Sequence, residues 1–354
     1  MRHWTWGVPL LSLALLAVGM TVHVGDALAL LSIAGLVGSV AAAVHHAEVV
    51  AHRVGEPYGT LVLALAVTVI EASLILSLML AGGPKVAALP RDTIYAAIMI
   101  ICNGVIGLCV LAGGLAHREQ SFRIEGASAG LAALIAMAAL TLVLPNYTLT
   151  TRGPTYTELQ LEFAAVASAA LWAVYVFVQT KSHRDYFLPI DAANDDVHAA
   201  PPTHREALAS FALLLVSLVC VVGLAKVLSP AIEATLIRLG APSAVLGILI
   251  AIVVLMPEGF AALRAARANR LQTSMNLAIG SALASIGLTI PVVAVAAVLM
   301  DMPLVLGLDE KELVLLVVTF LVSAVTLGSG RTYIMQGAVH LVIFAAFLFL
   351  ALFP

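Results

Sequence analysis

Charge is scarce in this chain. Asp, Glu, Lys and Arg make up 10% of its 354 residues, against 62% apolar residues, whereas a soluble domain carries roughly 25% charged residues, so an ordinary water-soluble globule is excluded. Cysteine is rarer still: Cys102, Cys109 and Cys220 stand inside apolar runs without metal-type spacing, which excludes a disulfide framework and a thiolate metal centre. Basic residues do not outnumber acidic ones, 17 against 20, and nucleic acid is not a candidate partner. What the chain has in abundance is long apolar runs, and these predict an all-α polytopic membrane protein embedded in lipid.

Eleven runs are long enough to cross a bilayer, at 7–22, 26–44, 59–81, 93–115, 127–145, 160–180, 207–228, 242–263, 274–299, 311–328 and 333–352. They must be helical, because an open sheet cannot satisfy its backbone in hydrocarbon. The first run begins after Met1-Arg2-His3 without a small-residue cleavage site and is expected to be a retained helix. With the N-terminus inside, the inner connections hold eleven Lys and Arg against six outside, so the positive-inside bias predicts a cytoplasmic N-terminus and a C-terminus on the opposite side of the membrane.

One carboxylate interrupts the third run. Glu71 is the thirteenth residue of 59–81, and at about 1.5 Å per residue it falls near the bilayer midplane. An ionised side chain there costs about 2.5–3.5 kcal/mol on insertion scales, and such residues mark ion pathways, relays or counter-ion sites.

After the leading helix (1–25) the chain divides into five helices over 26–180, a polar linker over 181–206, and five more over 207–354. Five is odd, so tandem homologous units insert with opposite orientation, the inverted-repeat plan of many secondary transporters. The second helix of each half carries an acid at a corresponding depth, Glu71 in Val67-Thr68-Val69-Ile70-Glu71 and Glu258 in Val254-Leu255-Met256-Pro257-Glu258. Two such acids, drawn toward a shared cavity by the repeat, are the candidate metal ligands and cation/proton-binding groups. Low dielectric favours a protonated carboxylate and a bound cation favours the ionised one, so protons and cations compete for the same oxygens.

Around the acids, Thr68 lies one turn before Glu71 on the same face, and Pro257 is expected to break the ladder and free carbonyls that could ligate a cation. The third helices carry Asn103, Ser281 and Ser285 as neutral oxygens among small residues. His45, His46, Glu48 and His52, with Arg53 and Glu56, form a cluster before the Glu71 helix that reads as a candidate pH gate or as a solvated helix end. The linker, with Asp185, Asp191, Asp195, Asp196, His183, His198 and His204, reads as a solvated connection, with a cation sensor as the alternative. His340 reads as a satisfied core histidine.

The chain resembles the calcium/cation antiporter superfamily, and within it the bacterial ChaA-type sodium/calcium:proton antiporters of the CAX group. The resemblance is carried by HHAEVVAHRVGEPYGTLVLALAVTVIEASLI (45–75), MIICNGVIGL (99–108), LTLVLPNYT (140–148), MPEGF (256–260) and NLAIGSALASIGLTIP (276–291). It implies one leading helix plus two inverted five-helix repeats, with Glu71 and Glu258 as shared cation and proton sites and Ser281 beside them. CAX sequences place Gly-Asn four and three residues before each acid, where this chain has Val67-Thr68 and Val254-Leu255. That departure widens the expected cargo from Ca²⁺ to Na⁺ or K⁺.

The expected function is therefore secondary active export of Ca²⁺ or Na⁺, with K⁺ as a further cargo, in exchange for protons. No cofactor is implied beyond the transported ions, and nothing in the sequence sets an oligomeric state. The alternatives are an intramembrane metal-dependent enzyme, which would need a third deep ligand or a nucleophile motif, and a passive cation channel, which would need no acids at matched repeat positions.

Overall fold

In the structure, a computed structural model, residues 3–21, 26–55, 58–188, 202–239, 242 and 244–353 are described. Glu56 of the histidine cluster and Asp191, Asp195, Asp196 and His198 of the linker lie outside them. Among the described residues, eleven helices are long and apolar enough to cross a membrane, from Trp4–Thr21 to Ile334–Leu352. The protein is thus an integral membrane protein of helical class.

The chain forms two compact units, Met1–Val86 with His198–Ser243, and Ala87–Val197 with Ala244–Pro354. The first holds α1 (His3–Thr21), α2 (Asp26–Val54), α3 (Tyr58–Gly82) and α8 (His204–Leu239). Helix α2 runs ten residues past the end expected from hydropathy. Charge stops an apolar run but not a helix, and the sequence offers no breaker until Gly55, which takes φ +78° while its N–H caps the Ala51 carbonyl at 2.9 Å. The histidine cluster therefore sits on the last turns of α2.

The second unit holds the third to fifth spans of the first half and the second to fifth of the second. Both third spans are interrupted helices. The first is α4 (Leu89–Met99), a π-helical turn (Ile100–Val105) and α5 (Ile106–His117); the second is α10 (Leu271–Ala284), a π-helical turn (Ser285–Thr289) and α11 (Ile290–Leu299). Helices α6 (Ile124–Ala138), α7 (Glu158–Phe177), α9 (Ala244–Arg267), α12 (Glu310–Gly328) and α13 (Ile334–Leu352) complete the unit.

The connections in this unit are reciprocal. The segment after α5, strand β1 (Glu119–Ser121), pairs antiparallel with β2 (Arg331–Tyr333), which joins α12 to α13. The segment after α11 bonds in turn to the connection between α6 and α7, through the N–H groups of Leu306 and Gly307 to the Pro154 carbonyl at 3.2 and 3.0 Å. The third spans take part in the same exchange: Arg91 Nη1 donates to the Gly307 carbonyl at 3.0 Å, and Gln272 Oε1 accepts from the Arg123 N–H at 2.6 Å. Each half thus holds the connections of the other at opposite ends of the spans, as an inverted repeat requires.

The contact of α5 with α13 is made by glycine. A Cβ on Gly337 would lie 2.5 Å from the Leu111 nitrogen and 2.9 Å from the Gly107 carbonyl oxygen, both backbone atoms of α5. Small residues let membrane helices approach this closely. Gly337→Ala should force the helices apart at a cost of about 1–3 kcal/mol, read as a lower unfolding temperature of the detergent-solubilised protein. An unchanged temperature would show that α13 yields freely.

Candidate functional site

In the first unit, Glu71 lies near the middle of α3, and only 2% of its surface is exposed. Thr68, one turn earlier, is buried as well. The helix around them is largely apolar, so the carboxylate stands there against the local composition.

The four residues of the candidate gate part company. His46 is fully buried, and its Nε2 lies 2.8 Å from the Thr5 carbonyl on α1. That carbonyl would ordinarily accept from residue 9, but residue 9 is Pro and has no N–H. The imidazole supplies the missing donor and closes the gap in the ladder of α1, so Nε2 carries the proton and the ring has a structural task. His45 is half-buried, its ring 5.6 Å from that of Trp4 and 5.5 Å from that of His46, whereas Glu48 and His52 are exposed.

In the second unit, α9 continues from Ala244 to Arg267 through Pro257. The helix tolerates the ring, and the gap in its hydrogen-bond ladder is one donor, the N–H that would have bonded the Val253 carbonyl one turn earlier. Glu258 follows, half-buried, with its Oε2 shielded from solvent. Helix α9 packs against α4, α5, α10 and the first π-helical turn. Ser281 lies on α10, and its Oγ is buried without a hydrogen-bond partner among the described residues. Ser285, one turn on, opens the second π-helical turn and is 2% exposed.

Asn103 sits in the first π-helical turn and is fully buried. Its side chain is engaged with α12 and α13: Nδ2 donates to Thr319 Oγ1 at 2.8 Å, and Oδ1 lies 3.1 Å from Nδ1 of His340. The other ring nitrogen of His340 lies 3.1 Å from Thr326 Oγ1. His340 is therefore a satisfied buried histidine. Neither threonine stood out as a candidate, yet Thr319, Ser323 and Thr326 recur at i, i+4 and i+7, a polar stripe that a purely lipid-facing helix would not carry.

A second group that sequence reasoning missed stands at the start of the first third span. Arg91 and Asp92 are 9% and 4% exposed and bond to each other at 2.8 Å. Asp309 lies 3.9 Å from Arg91 Nη1, and Glu312, also buried, caps the Asp309 N–H at 3.2 Å. The adjacent opposite charges at a span boundary were the available signal. Their hydrogen bonding to the segment after α11 makes them a clasp rather than a cation cage, and no cluster of three metal-ligating side chains occurs among the described residues.

Comparison with known proteins adds an independent line. The family model described as sodium/calcium exchanger protein matches residues 26–181 and 209–353. The chain is 46% identical to the putative ionic transporter y4hA of Sinorhizobium fredii (strain NBRC 101917 / NGR234), over 99% of this chain and 96% of that one. It is 36% identical to the sodium-potassium/proton antiporter ChaA of Escherichia coli (strain K12), over 96% and 93%. Among solved structures, the H⁺/Ca²⁺ exchanger CAX superposes with a TM-score of 0.74 at 16% identity, covering 98% of this chain and 87% of that one, which is a likeness of fold.

Proposed function

The chain belongs to the sodium/calcium exchanger protein family, and from that premise we propose that it is a secondary transporter exchanging a cytoplasmic cation for protons across the bacterial inner membrane. The observation that carries the reading is a carboxylate in the second span of each half, Glu71 wholly enclosed and Glu258 with one oxygen shielded. A membrane helix retains such a group at a cost only for work that needs it. Glu71 and Glu258 each give up a proton to take cation and release cation to take a proton, as the protein exposes them to one side and then the other. In the first unit Thr68, one turn before Glu71, offers a neutral oxygen; in the second, Ser281, Ser285 and the Val253 carbonyl that Pro257 leaves without its helical donor offer others.

Na⁺ and K⁺ are the cargo this reading favours. The relative whose name specifies sodium, potassium and protons is 36% identical over nearly the whole chain, whereas the Ca²⁺/H⁺ antiporter of Aphanothece halophytica is 25% identical over 71% of it. The loss of Gly-Asn before each acid points the same way, since fewer neutral ligands suit a less demanding ion. Protons move inward and cation outward under the usual gradient. Each uncompensated charge moved is worth about 2.3 kcal/mol per 100 mV, so the stoichiometry sets the dependence on membrane potential.

The test is dissipation of an imposed proton gradient in everted vesicles carrying the protein, followed with a pH probe. Na⁺ and K⁺ should each collapse the gradient, and vesicles without the protein should hold it. Collapse by Ca²⁺ alone would overturn the monovalent assignment, and a gradient indifferent to all three cations would overturn antiport.

A further inference from the structure

We propose that His340 is a positioning residue for exchange, at the centre of a hydrogen-bond strut that sets the first π-helical turn against the Glu258 helix. The inference rests on the reading of Glu258 as an exchange carboxylate and concerns the second unit alone.

The bond directions in the strut follow from the orientation of the Asn103 amide. The Asn103 amide donates from Nδ2 to Thr319 Oγ1 at 2.8 Å, so its Oδ1 is the acceptor facing His340. Nδ1 of His340, 3.1 Å away, must then carry the hydrogen. In a neutral ring Nε2 is left with a lone pair, and Thr326 Oγ1, at 3.1 Å, donates to it. The Thr319 hydroxyl in turn donates to Met99 Sδ at 3.4 Å. This arrangement satisfies the chain from Thr326 through His340, Asn103 and Thr319 to Met99. With the ring protonated, the bond to Asn103 would stay and the other would reverse, Nε2 donating to the Thr326 hydroxyl oxygen.

The strut ends where the chemistry begins. Asn103 belongs to the π-helical turn, and π-helical turns recur at functional sites because they redirect side chains within a helix. At the end of this turn stands Val105, whose Cγ2 would lie 3.3 Å from a Cβ on Gly259, the residue after Glu258. On the other flank His340 is seated by glycine, since a Cβ on Gly107 would lie 3.0 Å from the His340 Cβ. Loss of the strut therefore frees the backbone that borders Glu258 while leaving the carboxylate in place.

The experiment measures cation half-saturation, maximal rate and pH profile in proteoliposomes for His340→Leu, His340→Gln, Thr326→Val and Glu258→Gln. His340→Leu leaves Asn103 Oδ1 and the Thr326 hydroxyl without their partners and should raise the half-saturation concentration about tenfold, with a smaller change in maximal rate. His340→Gln can donate to Asn103 and accept from Thr326, so it should restore half-saturation and keep the wild-type pH profile. Thr326→Val, nearly isosteric, should give a smaller change in the same direction and covers the case that His340→Leu fails to fold. Wild-type half-saturation in both His340→Leu and Thr326→Val overturns the strut. A shifted pH profile in His340→Gln overturns it too, since the titrating ring and not the hydrogen-bond pattern would then be at work. If Glu258→Gln itself exchanges normally, the carboxylate reading has failed; if it is inactive while the His340 variants are unaffected, only the strut has.

Discussion

Glu71→Gln and Glu258→Gln should each reduce cation-driven collapse of the proton gradient by about 100-fold or more, with insertion and folding preserved. The substitution keeps the shape of the side chain and removes its two abilities, to neutralise a cation and to release a proton. Because the amide is neutral, it removes a desolvation penalty, and the variants should unfold at temperatures equal to or above wild type. Aspartate in either place keeps the charge but draws the oxygens back by one methylene, so Glu71→Asp and Glu258→Asp should retain exchange with a weaker grip on the cation. Undiminished exchange in Glu258→Gln would remove that acid from the mechanism, and the same result in Glu71→Gln would remove the other.

The second large effect falls on stability. Arg91→Met strips the guanidinium from Asp92 and from the Gly307 carbonyl and leaves the buried Asp92 and Glu312 without it. Removing one partner of a buried ion pair costs about 3–5 kcal/mol, mostly because the remaining charge is stranded. The expected result is a marked fall in the unfolding temperature of the detergent-solubilised protein, with the segment after α11 released from α4. Adding Asp92→Asn to Arg91→Met should recover part of the loss, since the stranded charge is then gone. If Arg91→Met unfolds at the wild-type temperature, the clasp contributes nothing net, as many exposed ion pairs do.

Particular residues show where reading the chain by itself succeeds. Glu71 and Glu258 stand out as candidates because lipid makes a carboxylate conspicuous in an apolar run. The eleven spans were legible for the same reason, since hydrocarbon leaves the backbone no alternative to helix. One misjudged end had a local cause: α2 was cut short at its histidines although its breaker is Gly55.

The partners of the polar side chains were not legible. His46 reads as a titratable group near a helix end, yet it supplies the donor that Pro9 withholds from Thr5, 41 residues away. Asn103 reads as a neutral ligand, yet it bonds to Thr319 and His340, 216 and 237 residues distant. Arg91, one of the six basic residues counted outside, is a buried clasp to Gly307, 216 residues away.

The sequence by itself determined the membrane class and the helical spans and singled out two acids as candidates, because each follows from the solvent acting on a local stretch of chain. Only the tertiary structure decided which of the remaining polar groups hold one another. A hydrogen bond needs donor and acceptor about 3 Å apart, and which residues come that close depends on how distant helices pack, which no local pattern carries.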